Sequence, residues 1–259
     1  MSLLIGITGK GGVGKTTLAG LLINRLIKNG CRPILAIDAD PNTCLDAVLG
    51  VKVEKTVGRV REEAREDAGK GLAAGISKQE MLQMKIEESL VEADNFDLIA
   101  MGRPEGAGCY CYANNVLKST ISEISKNYPY VVLDNEAGLE NLSRRIVQEV
   151  DILIMVADPS KRGIETLVRL YELAKEMEIK YRKLVLVINR LHTNGLPAIT
   201  DQLMANTSAD LIIGLPEDDE LSRLGEEGIE LQSLSETNPV NKKIDEMMQK
   251  LGITKSINE

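Results

Sequence analysis

No apolar run in this 259-residue chain approaches the length needed to span a membrane. Met1-Ser2-Leu3 leads straight into a strand pattern, without a charged leader and a cleavable apolar segment. A cytoplasmic protein with no membrane partner is expected. Cysteine is scarce: Cys31, Cys44, Cys109 and Cys111 are too few for a disulfide framework in a chain of this size, so reduced thiols able to bind metal are expected instead. Histidine occurs once, and His192 reads as a loop residue rather than a ligand. Positive charge is in deficit, with 31 Lys and Arg against 39 Asp and Glu, which argues against a broad nucleic-acid footprint. No linker divides the chain, and its length suits one α/β domain spanning residues 1–259 with a sizeable core.

What is present begins with Gly9-Lys10-Gly11-Gly12-Val13-Gly14-Lys15-Thr16-Thr17, set between the apolar run Leu3–Ile7 and a helical pattern from about Lys15 to Lys28 that stops at Asn29-Gly30. A strand, a glycine-rich turn and a helix in that order surround a phosphate chain with backbone N–H groups and aim the positive end of the helix at it. Gly11, Gly12 and Gly14 let the backbone approach the phosphates, Lys15 can reach their β- and γ-oxygens, and Thr16 offers a hydroxyl to Mg²⁺. Val13 and Thr17 complete the expected nucleotide cradle.

The next apolar run, Pro33–Asp38, is mostly unbroken, as in a parallel strand buried on both faces. It ends in Asp38-Ala39-Asp40-Pro41-Asn42, two carboxylates at the strand edge where α/β sheets bind ligands. Beside a phosphate loop, such a pair suggests a Mg²⁺ shell and a water-positioning group. Tyr130–Asp134 is a further buried strand. Its end, Asp134-Asn135-Glu136-Ala137-Gly138, suits a Mg²⁺-bound water at Asp134 and a γ-phosphate-sensing switch at Gly138, with Glu136 solvated.

Residues 51–95 form a polar, mainly helical insertion in which Val57, Val60 and Ala64 recur at helical spacing, with Met81, Ile86 and Leu90 following more loosely. Gly69 to Gly75 reads as a joint within it. Phe96–Gly102 is then a strand delivering Cys109-Tyr110-Cys111, ahead of a helix from Asn114 to Asn127. Cysteines two apart on extended backbone place both sulfurs on one side, and two thiolates fill half of a tetrahedral site. A two-fold dimer would complete it, with Zn²⁺, Cu(I), an Fe–S cluster or Ni²⁺ all compatible. Cys44 reads as a buried small residue and Cys31 as packing.

With Lys10 opening K-G-G-V-G-K-T, the loop resembles the deviant Walker A of the MinD, ParA and nitrogenase iron-protein group. There the early lysine reaches the ATP of the partner subunit; the resemblance assigns that catalytic role to Lys10, beside the phosphate-binding Lys15, and through the D-x-D-P of switch I it implies Asp38 in the Mg²⁺ environment and Asp40 as the catalytic acid that orients the attacking water. Together with D-A-D-P-N-T-C-L, G-x-G-C-Y-C, D-N-E-A-G and a late T-N-P, the chain is similar to the CooC and AcsF nickel-insertion ATPases of carbon monoxide dehydrogenase and acetyl-CoA synthase maturation. That resemblance implies a homodimer that hydrolyses ATP to ADP and carries Ni²⁺, with Zn²⁺ possible, between its subunits on Cys109 and Cys111 for a nickel-enzyme client. It also implies that Asn189, after the strand Leu184–Ile188, reads adenine, and that Leu215 and Pro216 contact the base after the strand beginning at Leu211.

The fold expected is a doubly wound α/β P-loop domain with a mostly parallel sheet flanked by helices. A [4Fe–4S] reductase like the nitrogenase iron protein would take one cysteine from each of two separate segments, whereas here both share one loop. A ParA- or MinD-like positioning ATPase would leave the C-x-C unexplained. The last helix, after Pro239, carries Ile244, Met247, Met248 and Leu251 on one face, a stripe expected to dock on the domain's own core rather than on a membrane.

Overall fold

The computed structural model describes residues 2–69, 77–103, 111–139, 149–193 and 195–253, with backbone alone for 65–69, 78–79 and 111–117. Eight strands form one sheet: β1 (Leu3–Gly9), β2 (Ile34–Asp38), β3 (Val91–Glu92), β4 (Phe96–Ala100), β5 (Tyr130–Asp134), β6 (Glu149–Ala157), β7 (Lys180–Leu191) and β8 (Leu211–Pro216). Their order across the sheet is β3-β4-β2-β5-β1-β6-β7-β8. Among the described residues only the short edge pair β3–β4 is antiparallel. The sheet is therefore mostly parallel and doubly wound, as the apolar runs predict.

Period-two alternation sends successive side chains of each strand into two separate cores. Ile5, Ile7, Ala36, Val132, Ile154 and Val187 face α1 (Lys15–Lys28) and the terminal helix. On the other face Leu35, Ile37, Val131, Leu133, Leu153 and Leu186 share a cluster with Val57, Val60, Ala64, Leu82 and Ile86 of the 51–95 segment. That segment holds α3 (Val57–Gly69) and α4 (Lys78–Glu87), the latter opened by a capping box between Ser77 and Glu80. Ahead of them the short α2 (Leu45–Leu49) packs against α1, where Gly20 leaves room that a Cβ would take from Val48 at 2.3 Å. The joint expected at Gly69 to Gly75 falls, after Gly69, outside the described residues.

Three boundaries differ from the sequence expectation. The helix expected from Asn114 begins at Cys111, as α5 (Cys111–Ser125), because no glycine or proline interrupts the chain between those residues. The backbone at Cys111 is thus helical rather than extended. Cys44 is exposed rather than buried, because it stands at the N-cap of α2 with its backbone turned inward; Cys31 is buried. Strand β7 runs well beyond Leu184–Ile188, into polar ends that the apolar run does not mark.

After β6 come α6 (Lys161–Glu176), α7 (Thr200–Thr207), α8 (Asp219–Glu227) and α9 (Pro239–Leu251). The stripe Ile244, Met247, Met248 and Leu251 of α9 is buried in the core, as expected. Arg25 on α1 ties α9 down through a two-pronged bond to Asp245, with Nε and Nη2 at 2.9 and 2.7 Å, and a third bond to Glu236. Among the described residues no helix is long and apolar enough to cross a membrane.

Candidate active site

The parallel arrangement carries the carboxyl ends of β1, β2, β5, β7 and β8 to one edge of the sheet, and the predicted residues gather there. At the end of β1, Gly9 lies so close to β6 that a Cβ would stand 2.3 Å from the Val156 carbonyl oxygen. The loop then turns through Gly12 (φ 78°) and Gly14 (φ 91°), and Gly14 in its left-handed conformation opens α1. The side chain of Lys15 is buried, and its Nζ donates to the Lys10 carbonyl at 3.2 Å. Lys10 itself is exposed.

Asp38 and Asp134 lie side by side in register on β2 and β5. Their environments differ. The carboxylate of Asp38 is fully buried and accepts three backbone N–H groups, from Asp40 at 3.0 Å, Cys44 at 2.9 Å and Leu45 at 3.0 Å. It therefore organises the turn into α2, while burial nevertheless holds its pKa above the usual carboxylate range. Asp134 is 1 % exposed, and neither of its oxygens has a hydrogen-bond partner among the described residues. Burial pushes its pKa up to about 7, against the pull of the neighbouring Thr16 hydroxyl and the Lys15 ammonium, with Asp38 and Asp40 adding to the rise.

A buried carboxylate with two unmet acceptors beside a threonine hydroxyl is a donor set suited to a hydrated hard cation, and Mg²⁺ fits it. Asp40 is half-buried, and its Oδ1 accepts both the backbone N–H and the side-chain amide of Asn42, at 2.8 and 3.0 Å. Gly138 (φ 93°) donates to the Gly9 carbonyl at 3.3 Å and accepts from the Thr8 hydroxyl, so this switch segment rests on the root of the phosphate loop.

Beside the loop a cleft of about 410 Å³ is lined by Gly14, Thr17, Asn189, Arg190, Pro216 and Glu217, among others. Its position suits the nucleoside. Asn189 is at its wall, yet its amide is already engaged: Nδ2 donates to the Val13 carbonyl at 2.8 Å and Oδ1 accepts from the Arg190 N–H at 3.0 Å. Each amide end keeps one further hydrogen or lone pair for a base. Pro216 lines the cleft, whereas the Leu215 side chain is buried in the core at 2 % exposure. A base contact at Leu215 is thus left to its backbone, the route expected for this loop, since alternation along β8 turns the side chain inward. His192 is an exposed loop residue paired with Glu217 at 2.5 Å.

Cys109 lies outside the described residues, as does the side chain of Cys111; among the described residues no three His, Cys, Asp or Glu side chains gather as metal ligands. The segment leading toward the cysteines is described as far as Arg103. The Met101 N–H donates to the Asp38 carbonyl at 2.8 Å, and Arg103 Nη2 donates to Asn42 Oδ1 at 2.9 Å. Residues that sequence reasoning missed include Thr8, Asn42, Arg103 and Asn135. Asn135 is buried and donates from Nδ2 to the Ile7 carbonyl at 3.0 Å. Polar residues at the ends of buried strands, Thr8 and Asn135, were the available signal.

Residues 4–186 match the AAA_31 family model, described as AAA domain. The chain is 43% identical over 250 residues to an uncharacterized ATP-binding protein of Methanocaldococcus jannaschii, covering 96% of this chain and 98% of the relative. It is 32% identical over 188 residues to the carbon monoxide dehydrogenase accessory protein CooC of Rhodospirillum rubrum, covering 68% of this chain and 70% of that one. Among solved structures its fold is similar to the MinD cell division protein of Aquifex aeolicus, with a TM-score of 0.68 at 24% identity over 97% of each chain.

Proposed function

The chain belongs to the AAA_31 family of P-loop ATPases, of the MinD and ParA type, and hydrolyses ATP; on that premise we propose that it is a dimeric metallochaperone. Its cargo is nickel, and its client is carbon monoxide dehydrogenase or acetyl-CoA synthase. The reading is carried by the Cys109-Tyr110-Cys111 sequence in a chain similar to CooC, entered from a strand end hydrogen-bonded to the Asp38–Asn42 turn. Two copies related by a two-fold axis bring four thiolates to one ion, and soft thiolates retain Ni²⁺ or Zn²⁺ against harder competitors.

In this reading the backbone of Gly11–Thr17 holds the triphosphate, and Lys15 leaves the Lys10 carbonyl for its β- and γ-oxygens. Thr16 and Asp134, with Asp38 beside them, would hold a magnesium ion, which would supply positive charge to offset that on the phosphates. Asp40 aligns the attacking water, and Lys10 stabilises the transferring phosphoryl group of the partner subunit, so that turnover requires the dimer. Gly138 follows the γ-phosphate and transmits its loss to the root of the loop. Asn189 and Pro216 flank the adenine.

The test is titration of the reduced protein with Ni²⁺, with and without ATP. One ion per dimer, lost in Cys109→Ser/Cys111→Ser and held with nucleotide-dependent affinity, is the expected result; affinity that ignores the nucleotide refutes the proposal. A broad absorption near about 400 nm would indicate the iron–sulfur reductase instead. The likeness of the fold to MinD supports a second reading, a positioning ATPase. It is distinguished by nucleotide-dependent sedimentation with anionic vesicles or duplex DNA and by no effect of the double cysteine variant.

A further inference from the structure

The late T-N-P carries a buried polar side chain that the phosphate chemistry above does not use. Asn238 is 3 % exposed and stands at the N-cap of α9, where its Oδ1 accepts the Val240 N–H at 2.8 Å. Its Nδ2 reaches across to the start of α8, donating to Asp218 Oδ1 at 2.9 Å and to Glu220 Oε2 at 3.0 Å. Both amide hydrogens are thereby engaged. Glu220 is held a second time, since its Oε1 accepts the Ser235 N–H at 3.0 Å. One buried amide therefore fixes the start of α8 against the start of α9.

What it fixes is a wall of the nucleoside cleft. Pro216, Glu217 and Asp218 follow one another out of β8, and all three line the cleft together with Gly14 and Thr17 of the phosphate loop and α1. As the N-cap of α8, Asp218 accepts the Leu221 N–H on Oδ1 at 2.8 Å, the oxygen that Asn238 also holds. Among the described residues none donates to its Oδ2. Two donors on one oxygen settle the rotation of this half-buried carboxylate, which leaves the other oxygen as an anionic acceptor held in one direction. The other acids of the cleft are placed differently: Glu217 is paired with His192, and Glu226 lies in the last turn of α8, away from the tether.

We infer that Asp218 Oδ2 accepts a ribose hydroxyl of the bound nucleotide, and that Asn238 is the positioning residue that aims it. The inference rests on the proposed seating of the nucleoside in this cleft, and it names the group that reads the sugar. Ribose joins the base to the phosphates, so adenine beside Asn189 and Pro216 with the triphosphate on Gly11–Thr17 leaves the sugar between them, in the cleft that Thr17 and Asp218 both line. Its hydroxyls are donors, and a carboxylate at the carboxyl edge of a parallel sheet is a suitable acceptor for them. A deoxy sugar would leave the desolvated Oδ2 unpaired, so the cleft selects ribonucleotides.

The experiment is equilibrium binding to the full chain with Mg²⁺, using ATP, 2′-deoxyATP, 3′-deoxyATP and inorganic tripolyphosphate, for wild type, Asp218→Ser, Asn238→Ser and the double variant. Serine keeps each helix cap while removing the second oxygen at 218 and the amide hydrogens at 238, and tripolyphosphate binding reports that the phosphate site is still folded. Wild type should hold ATP about tenfold or more tighter than the analogue lacking the hydroxyl that is read, the worth of one hydrogen bond to a charged group. Asp218→Ser should lose that factor for ATP and keep the wild-type affinity for the same analogue and for tripolyphosphate. Asn238→Ser should show a smaller loss of the same kind. The double variant should bind ATP no more weakly than Asp218→Ser, because both act through one oxygen.

A preference for ATP over the deoxy analogue that survives in Asp218→Ser overturns the inference. So does a loss in Asn238→Ser that extends equally to tripolyphosphate, since a structural role alone would produce it. The parent reading fails separately: ATP held no more tightly than tripolyphosphate removes the nucleoside from the cleft. ATP held more tightly than tripolyphosphate, with both deoxy analogues bound as well as ATP, keeps the seating and overturns the reading of the sugar alone.

Discussion

Burial of the Asp134 carboxylate opposes folding in the protein without its nucleotide, and Asp134→Asn should make the protein more stable while disabling it. A carboxyl whose pKa rises from 3.8 to about 7 opposes folding by about 4 kcal/mol once ionised. Asparagine removes the charge but keeps a buried amide, and unpaired polar groups of that kind cost about 1–3 kcal/mol. A net gain of about 2 kcal/mol follows, or about 4–8 °C in melting temperature for a chain of this size. The sign with pH is fixed by linkage. Between pH 4 and 7, roughly, the folded state holds a proton that the unfolded chain has released, so wild-type stability falls as pH rises across that window. The advantage of Asp134→Asn should therefore be full at pH 8 and fade toward pH 5, where the wild-type acid is already neutral. Thermal unfolding in EDTA without nucleotide, at both pH values, measures this. Adding Mg²⁺ and ADP should stabilise wild type far more than Asp134→Asn. No gain at pH 8, or the same gain at pH 5, would refute the argument that burial of an unpartnered charge sets the environment of this residue.

Other expectations follow from the same geometry. Lys10→Ala and Asp40→Ala should each abolish steady-state turnover while a fluorescent ATP analogue still binds; unchanged ATPase rates would remove the trans lysine or the water-orienting acid. Gly9→Ala would put a Cβ 2.3 Å from the Val156 carbonyl oxygen, so β1 and β6 must separate; a loss of about 2 kcal/mol or more in urea unfolding is expected. Arg25→Met should cost about 1–2 kcal/mol by releasing Asp245 and Glu236 from α1, with the deficit shrinking in high salt; the Asp245 side chain is 37 % exposed, which keeps the figure at the low end. Asn189→Ala should weaken ATP binding chiefly by freeing the Val13 carbonyl and loosening the loop, so ADP and inorganic triphosphate should lose affinity together; loss confined to adenine nucleotides would favour direct base reading instead.

The central elements were legible because their signals are local. Lys15–Lys28 lies between Gly14 and the stop Asn29-Gly30, and Tyr130–Asp134 is a short apolar run opened by Pro129 and closed by its own Asp134 and Asn135, so both appear with the boundaries read from the sequence. Helix α2 was not legible: five residues carry too little periodicity, and its start is fixed by Asp38, which accepts the N–H groups of Cys44 and Leu45 across a turn. The polar ends of β7 were hidden for a related reason, since partners on β6 and β8, not apolar side chains, keep them in the sheet.

The sequence by itself determined that this chain binds a nucleotide's phosphates, because glycine spacing, lysine and threonine act through neighbouring backbone and need no distant partner. It also determined the parallel sheet, through runs apolar on both faces. Only the tertiary structure decided what each acid is free to do. Asp38 and Asp134 end adjacent strands with similar flanking residues, yet one is saturated by backbone N–H groups and the other is left with both oxygens unmet. That difference comes from which turn folds back over which carboxylate. Such desolvation and hydrogen bonding depend on residues far away along the chain, which no local pattern encodes.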